Sequence, residues 1–134
     1  MQQAKDMSNY RFEQSEQCLV SAKTLIQVGD YKGASNRSYY CVFHAVRSVL
    51  AYENIDFKRH SAVIAYFRKK YIKTEIFAVR MSDILGELFT VRNRSDYDDF
   101  YVISREDVIN QLESAEHFMN EVRKYLNAKA GESF

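Results

Sequence analysis

Proline is absent from this chain, and glycine occurs only four times in 134 residues. Strand-rich domains need turn residues at short intervals, and this sequence does not supply them. Long helices joined by few loops fit instead. Cysteine occurs twice, at Cys18 and Cys41, with no Cys-x-x-Cys spacing and no histidine cluster beside either. Two buried thiols in a reducing compartment are therefore expected, not a disulfide framework. No apolar run is long enough to span a bilayer, and the first residues are polar, so the expectation is a cytoplasmic protein. The histidines, His44, His60 and His117, are scattered, which argues against a metal site, and no cofactor motif is present. The net charge is only +1, so the chain as a whole lacks the basic excess of a nucleic-acid binder.

Hydrophobic residues make up 46% of the sequence, enough for a core. The length suits one domain over residues 1–134, with an ordered core at about 9–128. Five helical patterns follow. The first spans about 10–28, with Phe12, Ser15, Leu19, Ala22 and Ile26 on one face; Gly29 stops it and Asp30 caps the next. The second, about 31–52, is apolar on nearly every side, as befits a central helix. It carries a seam of small residues: Ala34, Ser38, Cys41, Ala45 and Ser48. The third is short, about 61–72, with Val63, Ile64, Phe67 and Tyr71 inward. The fourth covers about 78–97, striped by Met81, Ile84, Leu85 and Leu88. The fifth starts at Ser104, with Asp107 completing a weak capping box, and the tail from Ala128 is expected to fray. Together they predict an all-α, antiparallel up-and-down bundle of about five helices. Charge is uneven along it. Residues 58–80 hold seven Lys or Arg against Glu75 alone, and residues 96–121 hold eight acids against Arg105 alone. These are two solvated helix faces, or they pair across a homodimer.

The least ordinary stretch is "TVRNRSDYDDFY", residues 90–101. Continuing the stripe of the fourth helix places Arg92, Ser95 and Asp96 on the buried side, Asn93 and Tyr97 on an adjoining flank, and Arg94 facing away. A charge on a core-facing stripe needs a partner. Arg92 and Asp96 reach one another at i, i+4, and Arg37 on the central helix is a second candidate partner for Asp96. Two readings stand: an internal Arg–Asp–Arg network, or the edge of a functional cleft. Of the histidines, His44 reads as a hydrogen-bonded core residue, His60 as a phosphate contact or a helix cap, and His117 as solvated.

Three segments, "NRSYYCVFHA", "KRHS" and "RNRSDY", in that order and spacing, resemble the small HEPN domains of bacteria and archaea. The resemblance covers essentially the whole chain. It implies a dimerising helical bundle and a partnership with a minimal nucleotidyltransferase, as in toxin–antitoxin pairs. Many HEPN members are metal-independent ribonucleases whose motif is an Arg, often followed by Asn, with a His on the next turn. Two copies of the motif meet across the dimer, the Arg holding phosphate and the His moving a proton. Here Arg92 and Asn93 match, but the histidine position holds Tyr97, or Asp96 if the spacing slips. Tyrosine titrates near pH 10 and is a poor base at neutral pH. The resemblance thus implies a non-catalytic or weakly active protein that binds a nucleotidyltransferase, with RNA or a nucleotide as a further ligand. Catalysis, if present, would use Arg92, Asn93 and Tyr97. Binding would use Arg37, His60, Arg94, Asp96, Lys69 and Lys70. The alternatives are an active endoribonuclease toxin with a composite dimer site, and a structural dimerisation module.

Overall fold

A computed structural model describes residues 2–132. Five α-helices follow in order: α1 (Gln2–Gln27), α2 (Tyr31–Ala51), α3 (His60–Phe67), α4 (Val79–Tyr97) and α5 (Arg105–Glu132). α3 runs on into a π-helical turn, Arg68–Ile72. The described residues form helices and turns, with no strand among them. The all-α bundle expected from the scarcity of turn residues is the fold observed.

Local chemistry sets the ends of these helices. Gly29 takes φ +82°, in the left-handed region that favours glycine. Its N–H bonds to Ile26 O and that of Asp30 to Leu25 O, closing α1 as a Schellman turn. The Asp30 carboxylate then accepts from the Gly33 N–H at 2.9 Å and starts α2. At α5, Ser104 Oγ accepts from the Asp107 N–H at 3.0 Å, the expected half of a capping box.

α2 is the centre. Its small-residue seam is fully buried, and α1 lies along it. Ser8 Oγ donates to Ser48 O at 2.7 Å, and Ser15 Oγ to Cys41 O at 2.6 Å. The partners run in opposite directions, so α1 and α2 are antiparallel. The ion pairs Lys23–Glu116 and Arg123–Glu16 give the same sense to α1 and α5. On the other side of α2, Phe67, Leu85, Leu88 and Phe118 close the core. Burying each of these side chains contributes about 1.5–3 kcal/mol.

Both chain ends depart from the sequence pattern. α1 begins at Gln2, not near residue 10, because Ala4 and Ser8 extend its buried face by two turns. Small residues at helical spacing leave no apolar stripe to read, yet they allow the close approach that α2 requires. At the other end α5 extends to Glu132, and the last two residues of the tail lie outside the described residues.

Candidate functional site

Arg92 leaves the penultimate turn of α4 on the core side, between buried Leu88 and buried Ser95. The bundle ends there, so its head reaches the edge. The Arg92 side chain keeps 21% exposure and that of Asp96 36%. Arg92 Nε lies 3.1 Å from Asp96 Oδ2, an ion-pair distance without the alignment of a hydrogen bond. Nη2 donates to the Tyr40 hydroxyl at 3.2 Å, and Nη1 to Asn93 Oδ1 at 3.4 Å. The guanidinium also lies over two rings of α2, 5.5 Å from the centre of Tyr39 and 5.6 Å from that of Tyr40.

Arg37 does not complete an Arg–Asp–Arg network. It donates twice to Asn36 Oδ1, at 3.1 and 2.6 Å, and lies 4.9 Å from the Tyr40 ring centre. Among the described residues it makes no ion pair with Asp96. Tyr40 takes up both arginines: its electron-rich face attracts a cation by about 0.5–1 kcal/mol at a partly exposed site.

His60 opens α3, and its Nδ1 sits 2.8 Å from the Tyr39 hydroxyl. Its ring stacks on Phe43 with 4.0 Å between centres. Burial, then the charges of Arg92 and Arg47, lower its pKa. Burial pushes the Tyr39 hydroxyl well above the ordinary tyrosine range, so it stays protonated. His44, one turn beyond Tyr40, is not the hydrogen-bonded core histidine expected. Its Nδ1 is buried without a partner. Burial, then the charges of Arg47, Arg11, Arg37 and His60, bring its pKa down to about 4.

Beside His60 a cleft of about 450 Å³ opens, lined by Phe43, Arg47, Asp56, Phe57, Lys58 and His60. Asp56 accepts from Arg47 at 3.2 and 2.7 Å and contacts Arg11 at 3.4 Å. Burial opposes the charge on Asp56, but the Arg47 hydrogen bond, the Phe57 N–H and the two guanidiniums overcome it and lower its pKa. One carboxylate thus serves two arginines, and Lys58 makes no ion pair among the described residues. The cleft and the Arg92 edge are linked through Tyr39: its hydroxyl meets His60, and its buried ring lies 5.5 Å from the Arg92 guanidinium. The cations and aromatic rings of the two suit an anion or an acidic chain segment.

The HEPN domain model matches residues 8–125. The chain belongs to the HEPN domain family. Among similar proteins, one of Methanocaldococcus jannaschii named "Putative toxin" is 32% identical over 87% of this chain and 80% of its own length. A UPF0332 protein of Thermotoga maritima is 26% identical over 94% of this chain and 96% of its own. A second M. jannaschii protein with the same toxin name is 26% identical over 85% and 84%.

In this HEPN chain the positions of interest separate into groups. Arg92, Asn93, Asp96, Arg37 and His60 gather around Tyr39 and Tyr40. Tyr97, one of the two residues expected at the motif's histidine position, is 82% exposed. Arg94 is exposed as well and lies 4.9 Å from the Tyr101 ring centre. Lys69 and Lys70 are exposed on the π-helical turn. Arg68 of that turn donates to Ser82 Oγ at 2.9 Å, near the start of α4. Ten residues of helix, about 15 Å, separate that point from Arg92, so the two lysines stand apart from the cluster. His117 on α5 is part-buried. The sequence reading missed Tyr39, Tyr40, Phe43, Arg47 and Asp56. The first three are indistinguishable from core residues within "SYYCVFHA", and Asp56 lies in a loop with no motif. Two of the scattered histidines do converge: His44 and His60 both pack against Tyr40 and Phe43. Among the described residues no helix is long and apolar enough to cross a membrane.

Proposed function

We propose that this HEPN protein is the binding member of a two-protein, toxin–antitoxin-type module. It acts as a homodimer that engages a nucleotidyltransferase and does not cleave RNA by itself. One observation carries this reading. Arg92 is held by Asp96, Tyr40 and Asn93, while the residue at the motif's base position, Tyr97, stands 82% exposed. This supports a phosphate-holding role for Arg92 without a free base on α4: of the two candidates for the base position, Tyr97 is exposed and Asp96 is paired with the arginine itself. Relatives with toxin in their names support the module. The test is twofold. Purified protein, in chelator, is incubated with single-stranded RNA, and no cleavage beyond that of Arg92→Ala is expected. The protein is also titrated with the minimal nucleotidyltransferase from its own genome, and a stable complex is expected. Cleavage that Arg92→Ala abolishes refutes the non-catalytic reading, and failure to form the complex refutes the partner.

A second reading is supported by His60. It packs against the same two tyrosines as Arg92 and feels its charge. With its pKa lowered it is a neutral imidazole near pH 7, capable of accepting a proton. An active endoribonuclease would then use Arg92 from α4 and His60 from α3. Cleavage abolished by both Arg92→Ala and His60→Ala would establish it.

A further inference from the structure

Tyr39 is fully buried, and its hydroxyl is buried with it. Burial pushes the pKa of that group up, so the proton stays on, and a buried O–H needs an acceptor. Among the described residues its one hydrogen-bond partner is His60 Nδ1, at 2.8 Å. Arg92 fixes the sense of that bond. Its guanidinium lies 5.5 Å from the Tyr39 ring centre, where the positive charge attracts the lone pairs of the hydroxyl oxygen and repels its proton. The hydroxyl therefore donates, and Nδ1 accepts. A neutral imidazole has one N–H and one bare nitrogen, so the His60 proton sits on Nε2. Burial, then the charges of Arg92 and Arg47, oppose a second proton on the ring, and the neutral form prevails near pH 7.

Nδ1 is taken up by α2, and Phe43 covers one face of the imidazole at 4.0 Å. Nε2 is the polar atom that His60 has left for the cleft it lines. What the cleft receives follows from its other walls. Lys58 lines it and makes no ion pair among the described residues. Asp56 lines it too, but Arg47 at 2.7 Å and Arg11 at 3.4 Å outweigh its charge. The balance is positive, and the donors at hand are the His60 N–H and the Lys58 ammonium. A further wall is aromatic: Phe57 is 38% exposed, with the Tyr66 ring packed against it at 5.5 Å. The volume of about 450 Å³ is that of a small-molecule site and exceeds what a bare anion fills.

We infer that this cleft binds an oxyanion carried on a flat apolar group, a phosphate or carboxylate attached to a ring, and that Tyr39 is the positioning residue that makes His60 an N–H donor to it. Lys58 supplies the charge and Phe57 the contact for the ring. The site goes beyond the module proposed above, since it needs neither a second copy nor a partner protein. It also weighs against a catalytic His60. To accept a proton at Nε2, the ring must first move its own proton to Nδ1, and the buried Tyr39 hydroxyl then loses its acceptor.

Nuclear magnetic resonance of the isotope-labelled full chain tests both parts, near neutral pH and at constant ionic strength. Proton–nitrogen correlation spectra of the imidazole ring read the tautomer directly. His60 is expected to carry its proton on Nε2, with Nδ1 bare, and to become a mixture of tautomers in Tyr39→Phe. A proton found on Nδ1 in the wild type overturns the inference, and that measurement needs no variant. The ligand probes are phenyl phosphate, benzoate and inorganic phosphate. A ring-bearing probe is expected to shift the His60 signals saturably, and the tighter of the two identifies the oxyanion. His60→Ala and Lys58→Ala are each expected to weaken that binding about tenfold or more. His60→Gln keeps an N–H donor and is expected to lose less than His60→Ala. Circular dichroism checks that each variant is folded. No saturable shift with any probe overturns the site. Equal binding by wild type and His60→Ala puts the ligand elsewhere and overturns it as well. Inorganic phosphate binding as tightly as phenyl phosphate refutes the role of the aromatic wall.

Discussion

Replacing His44 with glutamine should make the protein less sensitive to acid. His44 sits among Arg47, Arg11, Arg37 and His60, with its Nδ1 buried and unpartnered. Its pKa in the fold is about 4, against about 6.5 in an unfolded chain. The sign follows from which state takes up the proton. Above about pH 6.5 both states are neutral at this residue and the histidine has no pH-dependent effect. As pH falls below that point the unfolded chain binds a proton and the folded chain does not, so stability declines. The decline ends near pH 4, where the folded form also protonates. The full difference corresponds to roughly 3 kcal/mol at about 1.4 kcal/mol per pH unit. Water still reaches part of the ring, and screening reduces this to roughly 2 kcal/mol. The assay is urea denaturation of wild type and His44→Gln at about pH 7.5, 5.5 and 4. Carboxylates such as Asp56 titrate in both proteins, so the difference between the two curves isolates His44. Wild type should lose roughly 2 kcal/mol more than the variant over this span. Parallel curves would mean that His44 is protonated freely in the fold, and that the crowding of guanidiniums around it is relaxed by solvent.

Three further outcomes follow from the same contacts. Arg92→Ala should destabilise by about 1–2 kcal/mol in denaturant melts, the combined effect of a half-exposed ion pair, one hydrogen bond and a cation over two rings. A loss of about 3–5 kcal/mol would show a buried pair instead. Ser15→Ala should lose about 1 kcal/mol, while Ser15→Leu should lose about 3 kcal/mol by pushing α1 off the seam of α2; equal losses would mean that the two helices are not in close approach. Tyr97→His should confer a cleavage of single-stranded RNA, in chelator, that wild type lacks, because histidine exchanges protons near neutral pH. The gain should vanish when Arg92→Ala is added; a gain that survives would place the reaction away from α4.

The bundle was largely legible in the sequence because its signals are local. Helix starts at Asp30 and Ser104, the stop at Gly29, and the stripes of α3, α4 and α5 depend on residues within one or two turns. The inward set Val63, Ile64, Phe67 and Tyr71 is buried as the spacing predicts. The first two turns of α1 were illegible for a physical reason. Ala4 and Ser8 carry little hydrophobic signal, and their value lies in fitting against α2. The candidate site was half legible. Helical phase turned Arg92 and Ser95 toward the core and Arg94 away, as observed, but Asp96, placed on the same buried side, is exposed because the bundle ends at that turn. The partner of Arg92 across the bundle was not legible, because nothing in the order of residues distinguishes Tyr40, which meets guanidiniums, from Tyr71, whose hydroxyl donates to Glu53 at 2.5 Å. Pairing between helices depends on their packing, and a periodicity reports only which face is turned inward.

Arg92 also shows why the choice between an internal salt bridge and a binding edge was too narrow. A guanidinium has five N–H donors in a rigid fork. Here Nε faces Asp96 and each terminal nitrogen makes one hydrogen bond, to Tyr40 and to Asn93. Each terminal nitrogen carries a second N–H not used in these bonds, so the fork keeps donors for an incoming anion while its other contacts fix its plane. Asp96, the more exposed member of the pair, is the group that an anion would have to displace or outcompete. That displacement is modest, because a half-exposed ion pair contributes only about 0–1 kcal/mol. An arginine held this way is both a structural tie between α4 and α2 and an orienting group at the rim. Tyr39 then links it to His60, which lines the cleft beyond.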